Sequence, residues 1–337
     1  RLEQEIKGYF GVKHVFFVSS GKAALFLILK ALESLRPDKK QVLIPAYTCF
    51  SVPSAIVKAG LKVSLCDLNS SNFDFDYKLL EKAINEDTLC VMPNHLFGIS
   101  ADMDRINSIC KDKGVFVVED AAQAMGGSYK GSKLGTIGDV GFFSLGRGKN
   151  ITCGSGGIII TNSDKIANAI DRQYSNLEEL GIVESLKEFS EILLMAIFIR
   201  PSLYWFPAGL PFLKLGQTIF YKDFPIKKLS GMKSGPLRGW EKKLEESNNI
   251  RSRNAEYFST FFSHSPLWGE GQGEGVYLRL PVLISNREIR DEIFSLSNKK
   301  GLGINAMYPS AINEIEEIRN QFNGNTYPAA KKIADGL

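Results

Sequence analysis

The sequence has few of the side chains that build metal sites and disulfides. It contains three histidines and five cysteines among 337 residues, and no two cysteines form a CxxC pair. Histidines this far apart in the chain argue against a zinc site, so we expect no metal. An odd number of cysteines in mostly apolar surroundings suits reduced thiols, and we therefore expect a cytoplasmic protein.

Charge of one sign and unbroken apolar runs are also scarce. The formal net charge is +4, and the lysines and arginines do not gather in a stripe, so we expect no nucleic-acid partner. The most apolar run, ILLMAIFI at 192–199, is followed by Arg200 and three prolines, which interrupt any helix long enough to span a bilayer. We expect a helical insertion at about 185–220 that packs on the body or at a subunit contact. A membrane contact through 190–215 is the alternative.

Two common nucleotide-binding signatures are missing. No GxGxxG follows the first apolar run, which argues against a dinucleotide-binding dehydrogenase, and the GSGG at 154–157 lacks the GxxxxGK[ST] spacing of a P-loop. With 44% hydrophobic residues, the chain can nevertheless bury a large core. This size and composition suit an enzyme with one large and one smaller domain.

Short β-branched runs alternate with helical stretches from Val15 to about Asn162. This alternation predicts parallel βαβ units in a sheet covered on both faces. Later segments favour helices, with a strand at VYLRLPVLI, 276–284, before another helix. We expect a large α/β domain over 1–225 and a smaller α+β domain over 226–337. Neither terminus has the pattern of a natural chain end, and we expect both to be trimmed.

Polar residues follow the predicted strands where ligands of such sheets gather. In VSSGKAAL, Ser20, Gly21 and Lys22 lie at a strand-to-helix turn, whose free N–H groups could hold a phosphate. An ordinary helix cap at Ser20 is an equally good explanation. In VFVVEDAAQ, Asp120 ends an apolar strand, where a buried carboxylate needs a cation. A helix-capping role for Asp120 is the alternative.

A third polar group lies further along the chain. Ser144 ends another apolar strand, Lys149 follows in a glycine-rich loop, and GSGG leads into the next buried strand. A merely solvated lysine and an ordinary tight turn are the alternatives.

Taken together, these groups resemble the DegT/DnrJ/StrS family of sugar aminotransferases. VEDAAQ at 118–123, the spacing of five from Ser144 to Lys149, and GSGG with IIITN at 154–162 match the family's hallmarks. SGKAAL, IPAYT and HLFGISADMD extend the similarity from about Gly8 to Asn162. The resemblance implies an α/β protein of the fold type I pyridoxal-phosphate transferases. Such proteins have a mostly parallel central sheet flanked by helices and a smaller C-terminal α+β domain, and they are usually homodimers.

The resemblance also assigns roles to individual residues. It implies that Lys149 carries pyridoxal 5′-phosphate as a Schiff base, that Asp120 pairs with the pyridine nitrogen and that Gln123 lies near the ring hydroxyl. The residues implied to hold the cofactor phosphate lie at the first strand-to-helix turn and at a strand end: Ser20, Gly21, Lys22 and Ser144. Family dehydratases have histidine in place of the lysine, so Lys149 favours amino transfer. The implied substrates are an amino donor, glutamate by family habit, and a nucleotide-linked keto-sugar for polysaccharide or glycoside biosynthesis.

The chain also departs from the family pattern. Cys49 stands where relatives have an aromatic residue that stacks on the cofactor ring, which leaves Tyr47 and Phe50 as candidates. A lysine, Lys22, replaces the usual threonine, and KKLSGMKSGPLRGW at 227–240 replaces the NxRMSxxQAA stretch. We therefore expect a rebuilt substrate pocket. Two alternatives stay open: a pyridoxal-phosphate enzyme for a more apolar carbonyl substrate, and a degenerate binding or regulatory protein.

Overall fold

The computed structural model describes residues 1–178, 181–198, 200–208, 210, 218–261, 275–322 and 324–337. The seven strands of its central sheet are β1 (His14–Val18), β2 (Gln41–Pro45), β3 (Lys62–Cys66), β4 (Thr88–Val91), β5 (Phe116–Asp120), β8 (Val140–Ser144) and β9 (Gly157–Thr161). Two short strands, β6 (Ser128–Tyr129) and β7 (Ser132–Lys133), form a separate hairpin.

The sheet order is β1-β9-β8-β5-β4-β2-β3. Strands β3, β2, β4, β5 and β8 pair in parallel, whereas β9 pairs antiparallel with both β8 and β1. Strand β1 therefore has the direction of β8, and β9 alone is reversed among the seven. This arrangement confirms the predicted, mostly parallel α/β sheet.

Helices cover the sheet. The helices that alternate with its strands are α1 (Leu2–Phe10), α2 (Gly21–Leu35), α3 (Ser51–Lys58), α4 (Tyr77–Ala83), α5 (Met103–Lys113) and α6 (Asp164–Tyr174). Helix α2 buries Leu25, Ile28 and Leu32 in the main core, and every residue of β4 and β9 is buried. Strands that are buried along their whole length are typical of a sheet covered by helices on both faces.

The later part of the chain is mainly helical. Its helices are α7 (Ile182–Phe198), α8 (Pro201–Ala208), α9 (Gly231–Ser234), α10 (Trp240–Ser259), α11 (Arg287–Lys300) and α12 (Pro328–Gly336). The predicted strand at 276–284 is wrong, because these described residues form no strand. The N–H of Val276 donates to the Gly98 carbonyl and that of Ile284 to the Gly336 carbonyl, so the segment bonds to a turn and a helix end. The domain boundary at 225 stays a prediction.

Helices α7 and α8 occupy part of the predicted insertion, while 199, 209 and 211–217 lie outside the described residues. Helix α7 contacts the body through its charged side, because Glu184 pairs with Lys227 and Glu188 with Lys233. Its exposed large side chains lie on the opposite face: Val183, Leu186, Phe189, Leu193, Leu194 and Ile197. No helix in the described ranges is long and apolar enough to cross a membrane.

Candidate active site

The turn between β1 and α2 lies against the end of β8. A Cβ on Gly21 would lie 3.0 Å from the Ser144 Cβ, and a Cβ on Gly157 would lie 2.4 Å from the Ser20 carbonyl oxygen. The backbones can approach this closely only because both positions are glycine. The structure therefore brings together Ser20, Gly21 and Ser144, three of the residues predicted to hold a phosphate.

We call Ser20, Gly21 and Ser144 the phosphate cup. The hydroxyl oxygens of Ser20 and Ser144 each accept a hydrogen bond from a backbone N–H. The Ala23 N–H donates to Ser20 Oγ at 3.1 Å, which makes Ser20 the cap of α2, and the Gly146 N–H donates to Ser144 Oγ at 3.3 Å. Capping and phosphate binding are compatible, since a hydroxyl that accepts one bond still has its own proton to donate. The positive end of the helix dipole adds to the attraction for an anion.

The remaining predicted phosphate residue, Lys22, extends away along an aromatic pair. Its Nζ lies 4.7 Å from the Phe224 ring centre and 5.5 Å from that of Tyr221. Burial lowers the pKa of Lys22, and the charge of Lys58 lowers it further, while Cys49 opposes both. The structure thus places this ammonium group on aromatic faces next to the cup.

Asp120 is buried at the end of β5, with 4% of its surface exposed. Its Oδ1 accepts the Ala122 N–H at 3.1 Å, but 121–127 form turns, so the helix-capping alternative is wrong. Burial raises the pKa of Asp120, and the charge of Lys149 and the hydrogen bond from the Ala122 N–H oppose the shift. Among the residues that the structure describes, no cation lies within 4 Å of this carboxylate, which suits a carboxylate awaiting a cationic ligand.

Lys149 lies in the loop between β8 and β9, half-buried. Burial lowers the pKa of its ammonium group, and the charge of Arg279 lowers it further, whereas Cys49 and Asp120 oppose the shift. A lowered pKa increases the fraction of neutral amine, which is the nucleophilic form. The loop reaches this position through Gly148, whose φ of 73° favours glycine.

Gln123 is buried and uses both ends of its amide. Its Oε1 accepts the Phe97 N–H at 3.2 Å, and its Nε2 donates to the Tyr308 hydroxyl at 2.8 Å. The Tyr308 N–H in turn donates to the Tyr47 hydroxyl at 3.2 Å. Tyr308 thus ties the later part of the chain to two predicted site residues. Sequence reasoning missed Tyr308 because nothing local distinguishes it from an ordinary buried tyrosine.

Tyr47 and Phe50, the two aromatic residues predicted as stacking candidates, are packed in the main core. Cys49, which lies in the same turn, is partly exposed and interacts electrostatically with Lys22 and Lys149. Which aromatic side chain stacks on a ligand stays a prediction.

His95 belongs to the structural framework of the site rather than to its reactive groups. The Ala101 N–H donates to His95 Nδ1 at 3.2 Å, so the ring proton is on Nε2, which donates to Glu119 at 3.0 Å. The Glu119 carboxylate also accepts N–H groups from the turn at 135–138. Both nitrogens of this buried ring are therefore occupied.

Two arginines at the lysine loop are further residues that sequence reasoning missed. Arg251 on α10 donates to the Lys149 and Asn150 carbonyls at 3.5 and 3.4 Å. An Arg279 nitrogen lies 3.7 Å from where a Cβ on Gly148 would be. Both lie more than 100 residues from Lys149 in sequence, and only tertiary contacts bring them there.

Within the described ranges, no group of three or more His, Cys, Asp or Glu side chains could hold a metal.

Residues 1–194 match the model of the DegT/DnrJ/EryC1/StrS aminotransferase family. The chain is 32% identical over 251 residues to the UDP-2-acetamido-2-deoxy-3-oxo-D-glucuronate aminotransferase of Pseudomonas aeruginosa, an alignment that covers 67% of this chain and 69% of that protein. It is 31% identical over 192 residues to the GDP-perosamine synthase of Vibrio cholerae, with 57% and 51% covered. The chain spans about half the length of several curated relatives that it matches.

The fold also matches solved structures. The structure matches the E. coli GDP-4-keto-6-deoxy-D-mannose-3-dehydratase with bound hydrated PLP, with a TM-score of 0.74 at 19% identity over 99% of this chain and 84% of that one. At this identity the match confirms the predicted fold class and no more.

Proposed function

Because the chain belongs to the DegT/DnrJ/EryC1/StrS aminotransferase family, we propose that it is a pyridoxal-phosphate-dependent aminotransferase acting on a nucleotide-linked keto-sugar. The observation that carries this proposal is the placement of Asp120 and Lys149 near each other at one sheet edge, where each acts electrostatically on the other. Asp120 is a buried carboxylate with a raised pKa, and Lys149 is a half-buried amine with a lowered pKa. Two groups with opposite perturbations at one site are typical of acid–base chemistry.

The residues present fit the cofactor. A protonated pyridine nitrogen would be a cationic partner for the buried Asp120 carboxylate, and the cup of Ser20, Gly21 and Ser144 would supply hydroxyl and backbone donors for a phosphate. When bound, pyridoxal phosphate supplies an electron sink for the Cα–H bond of the amino donor.

Lys149 would hold the cofactor and later carry protons. A substrate amine would displace the Lys149 Nζ, and the freed Nζ would then accept the proton from the Cα of the donor and deliver it to the cofactor. The Asp120 carboxylate would stabilise the protonated ring nitrogen. Gln123, held by Phe97 and Tyr308, retains one amide hydrogen for the ring hydroxyl.

An excess of cations around the lysine loop supports an anionic substrate. Lys22 and Arg279 form no ion pair within 4 Å in the part of the chain that the structure describes, and Arg279 acts electrostatically on both Lys149 and Tyr308. Cations this close together repel each other unless an anion lies between them. A nucleoside diphosphate and a donor carboxylate both provide such charge.

The names of the relatives support a nucleotide-linked keto-sugar as the substrate. The Pseudomonas and Vibrio proteins are named for oxidised or aminated nucleotide sugars, and Lys149 occupies the position at which family dehydratases have histidine. Glutamate is the proposed amino donor, polysaccharide or glycoside biosynthesis is the proposed setting, and a cytoplasmic homodimer is the proposed form. The outward apolar face of α7 supports burial in an assembly, which sedimentation analysis would measure.

The two half-reactions of an aminotransferase test the proposed amino donor and the proposed keto-sugar separately. Glutamate should convert the purified holoenzyme to its pyridoxamine form, and a panel of nucleotide-linked keto-sugars should return that form to the starting spectrum. If no sugar does so while simple apolar ketones or keto acids do, the apolar-carbonyl alternative replaces the sugar. If glutamate and all other donors leave the spectrum unchanged, the aminotransferase proposal fails.

A further inference from the structure

Helix α10 has two polar residues, Asn248 and Arg251, directed at the site. They are three positions apart and therefore lie on one face of the helix. The N-terminal half of α10 is anchored by Trp240 and Leu244, which are buried in a cluster that includes Ile151 of the lysine loop. The helix is thus a fixed platform next to the loop.

Arg251 bonds to the backbone of the reactive lysine rather than to its amine. Its Nη2 donates to the Lys149 carbonyl at 3.5 Å, and its Nη1 donates to the Asn150 carbonyl at 3.4 Å. Burial lowers the pKa of Arg251, and Arg279 lowers it further. Across the described ranges, this guanidinium has no carboxylate within 4 Å. Its Nη1 also donates to Asn248 Oδ1 at 3.5 Å, so its hydrogen bonds go to the lysine loop and to the neighbouring residue of the same helix.

Asn248 connects the same loop to the segment that follows Asp120. Its Oδ1 accepts from Asn150 Nδ2 at 3.1 Å, and its Nδ2 donates to the Met125 carbonyl at 2.9 Å. A Cβ on the neighbouring Gly126 would lie 2.7 Å from Asn248 Nδ2. Only a glycine at 126 permits this approach, which indicates a closely fitted contact.

We propose that Asn248 and Arg251 are positioning residues that hold the Lys149 loop in register with the strand end that carries Asp120. The inference rests on the proposed function in that Lys149 is the reacting amine. The loop contains Gly146 and Gly148 and would otherwise sample many conformations. A displacement of about 1 Å at a reacting group can reduce the rate about a hundredfold, so a brace of this kind acts on turnover rather than on substrate binding.

Hydrogen exchange of the cofactor-free protein tests the brace independently of catalysis. In Arg251→Met, peptides covering 146–152 should exchange at least about tenfold faster, the effect of losing a hydrogen bond to a charged group, while peptides of the central strands keep their protection. Arg253→Met is the matched control, since Arg253 lies on the same helix and, among the residues that the structure describes, donates to the Asn249 carbonyl alone. Arg251→Lys should restore part of the protection.

The holoenzyme provides a second readout. We expect kcat of the glutamate half-reaction to fall about 10- to 100-fold in Arg251→Met with KM within about threefold, and Arg251→Lys to recover part of kcat. Unchanged exchange at 146–152, or faster exchange throughout the sheet, would overturn the proposal. Because exchange is measured without cofactor, a failure here is distinct from a failure of Lys149 to carry pyridoxal phosphate.

Discussion

Replacing Asp120 with asparagine should separate stability from activity. Asparagine has nearly the same shape and retains an oxygen for the Ala122 N–H, which now donates to Asp120 Oδ1 at 3.1 Å. The carboxylate is 4% exposed, and its pKa is raised by burial despite the opposing charge of Lys149 and the hydrogen bond from the Ala122 N–H. Without cofactor, an ionised Asp120 therefore costs stability at neutral pH.

The pH dependence follows from the sign of this shift. The folded state binds the proton of Asp120 more tightly than the unfolded state, so its contribution to the free energy of unfolding falls as pH rises from about 4 to the raised folded pKa. Each unit of the shift corresponds to about 1.4 kcal/mol. Asp120→Asn removes this loss, and the cofactor-free variant should melt about 1.4 °C above wild type at pH 7 for each kcal/mol regained.

Catalysis should respond in the opposite direction. A carboxylate and a protonated ring nitrogen about 4 Å apart attract by about 4 kcal/mol at an effective dielectric constant of about 20. Losing that attraction lets the ring nitrogen lose its proton and reduces turnover by about a thousandfold. Binding of the cofactor should weaken as well, so the cofactor should raise the melting temperature less in the variant than in wild type.

Thermal melts at pH 5, 7 and 8 with and without pyridoxal phosphate, together with the glutamate half-reaction, measure both effects. Asp38→Asn is the control, because Asp38 is exposed and its replacement should change neither. A cofactor-free Asp120→Asn protein that melts below wild type, or a holoenzyme that keeps full activity, would refute this reasoning.

Two further substitutions test the phosphate cup and the attachment of α7. Gly21→Ala places a Cβ 3.0 Å from the Ser144 Cβ and should weaken pyridoxal-phosphate binding about tenfold or more, the effect of about 1.4 kcal/mol of overpacking. Gly8→Ala is the control, because a Cβ there has nothing within 4 Å and should leave the affinity unchanged. Equal affinities of the two variants in a spectral titration would contradict the proposed phosphate site. Glu188→Gln breaks a buried pair with Lys233 at 2.7 Å and should lower the free energy of unfolding by about 3 kcal/mol. In urea melts, a loss below about 1 kcal/mol would mean that the pair behaves as a surface pair.

Local sequence patterns predict the elements that depend on local rules. Helix α2 spans Gly21–Leu35, the stretch given by GKAALFLILKALESL, because Ser20 caps it and its apolar residues repeat at helical spacing. Strands β5 and β8 are continuous apolar runs that end in Asp120 and Ser144. Because the carboxyl ends of parallel strands meet at one sheet edge, their pattern alone predicts that these two side chains lie at the same edge. The family resemblance then distinguishes Lys149 from the other lysines.

The remaining features depend on contacts between distant parts of the chain. The segment 276–284 has a strand composition, but its N–H groups bond to a turn and a helix end, so tertiary partners override propensity. The pattern of α7 predicts an amphipathic helix without saying which face contacts the body. Lys227 and Lys233 pair with Glu184 and Glu188 of α7, and these pairs turn the charged face of the helix toward the body. The role of Asn248 and Arg251 on α10 could not be predicted from the local sequence, because asparagine and arginine are common on any solvent-exposed helix.

The most direct test of the proposed function is the site at which pyridoxal phosphate becomes attached. Purified protein should be incubated with the cofactor, reduced with borohydride and digested, and the modified peptide identified by mass spectrometry, with Lys149→Ala treated in parallel. We expect one stoichiometric adduct, on Lys149, and none in the variant. An adduct on another lysine such as Lys22, or no adduct in the intact protein, would contradict the proposed role of Lys149 and favour a non-catalytic binding protein.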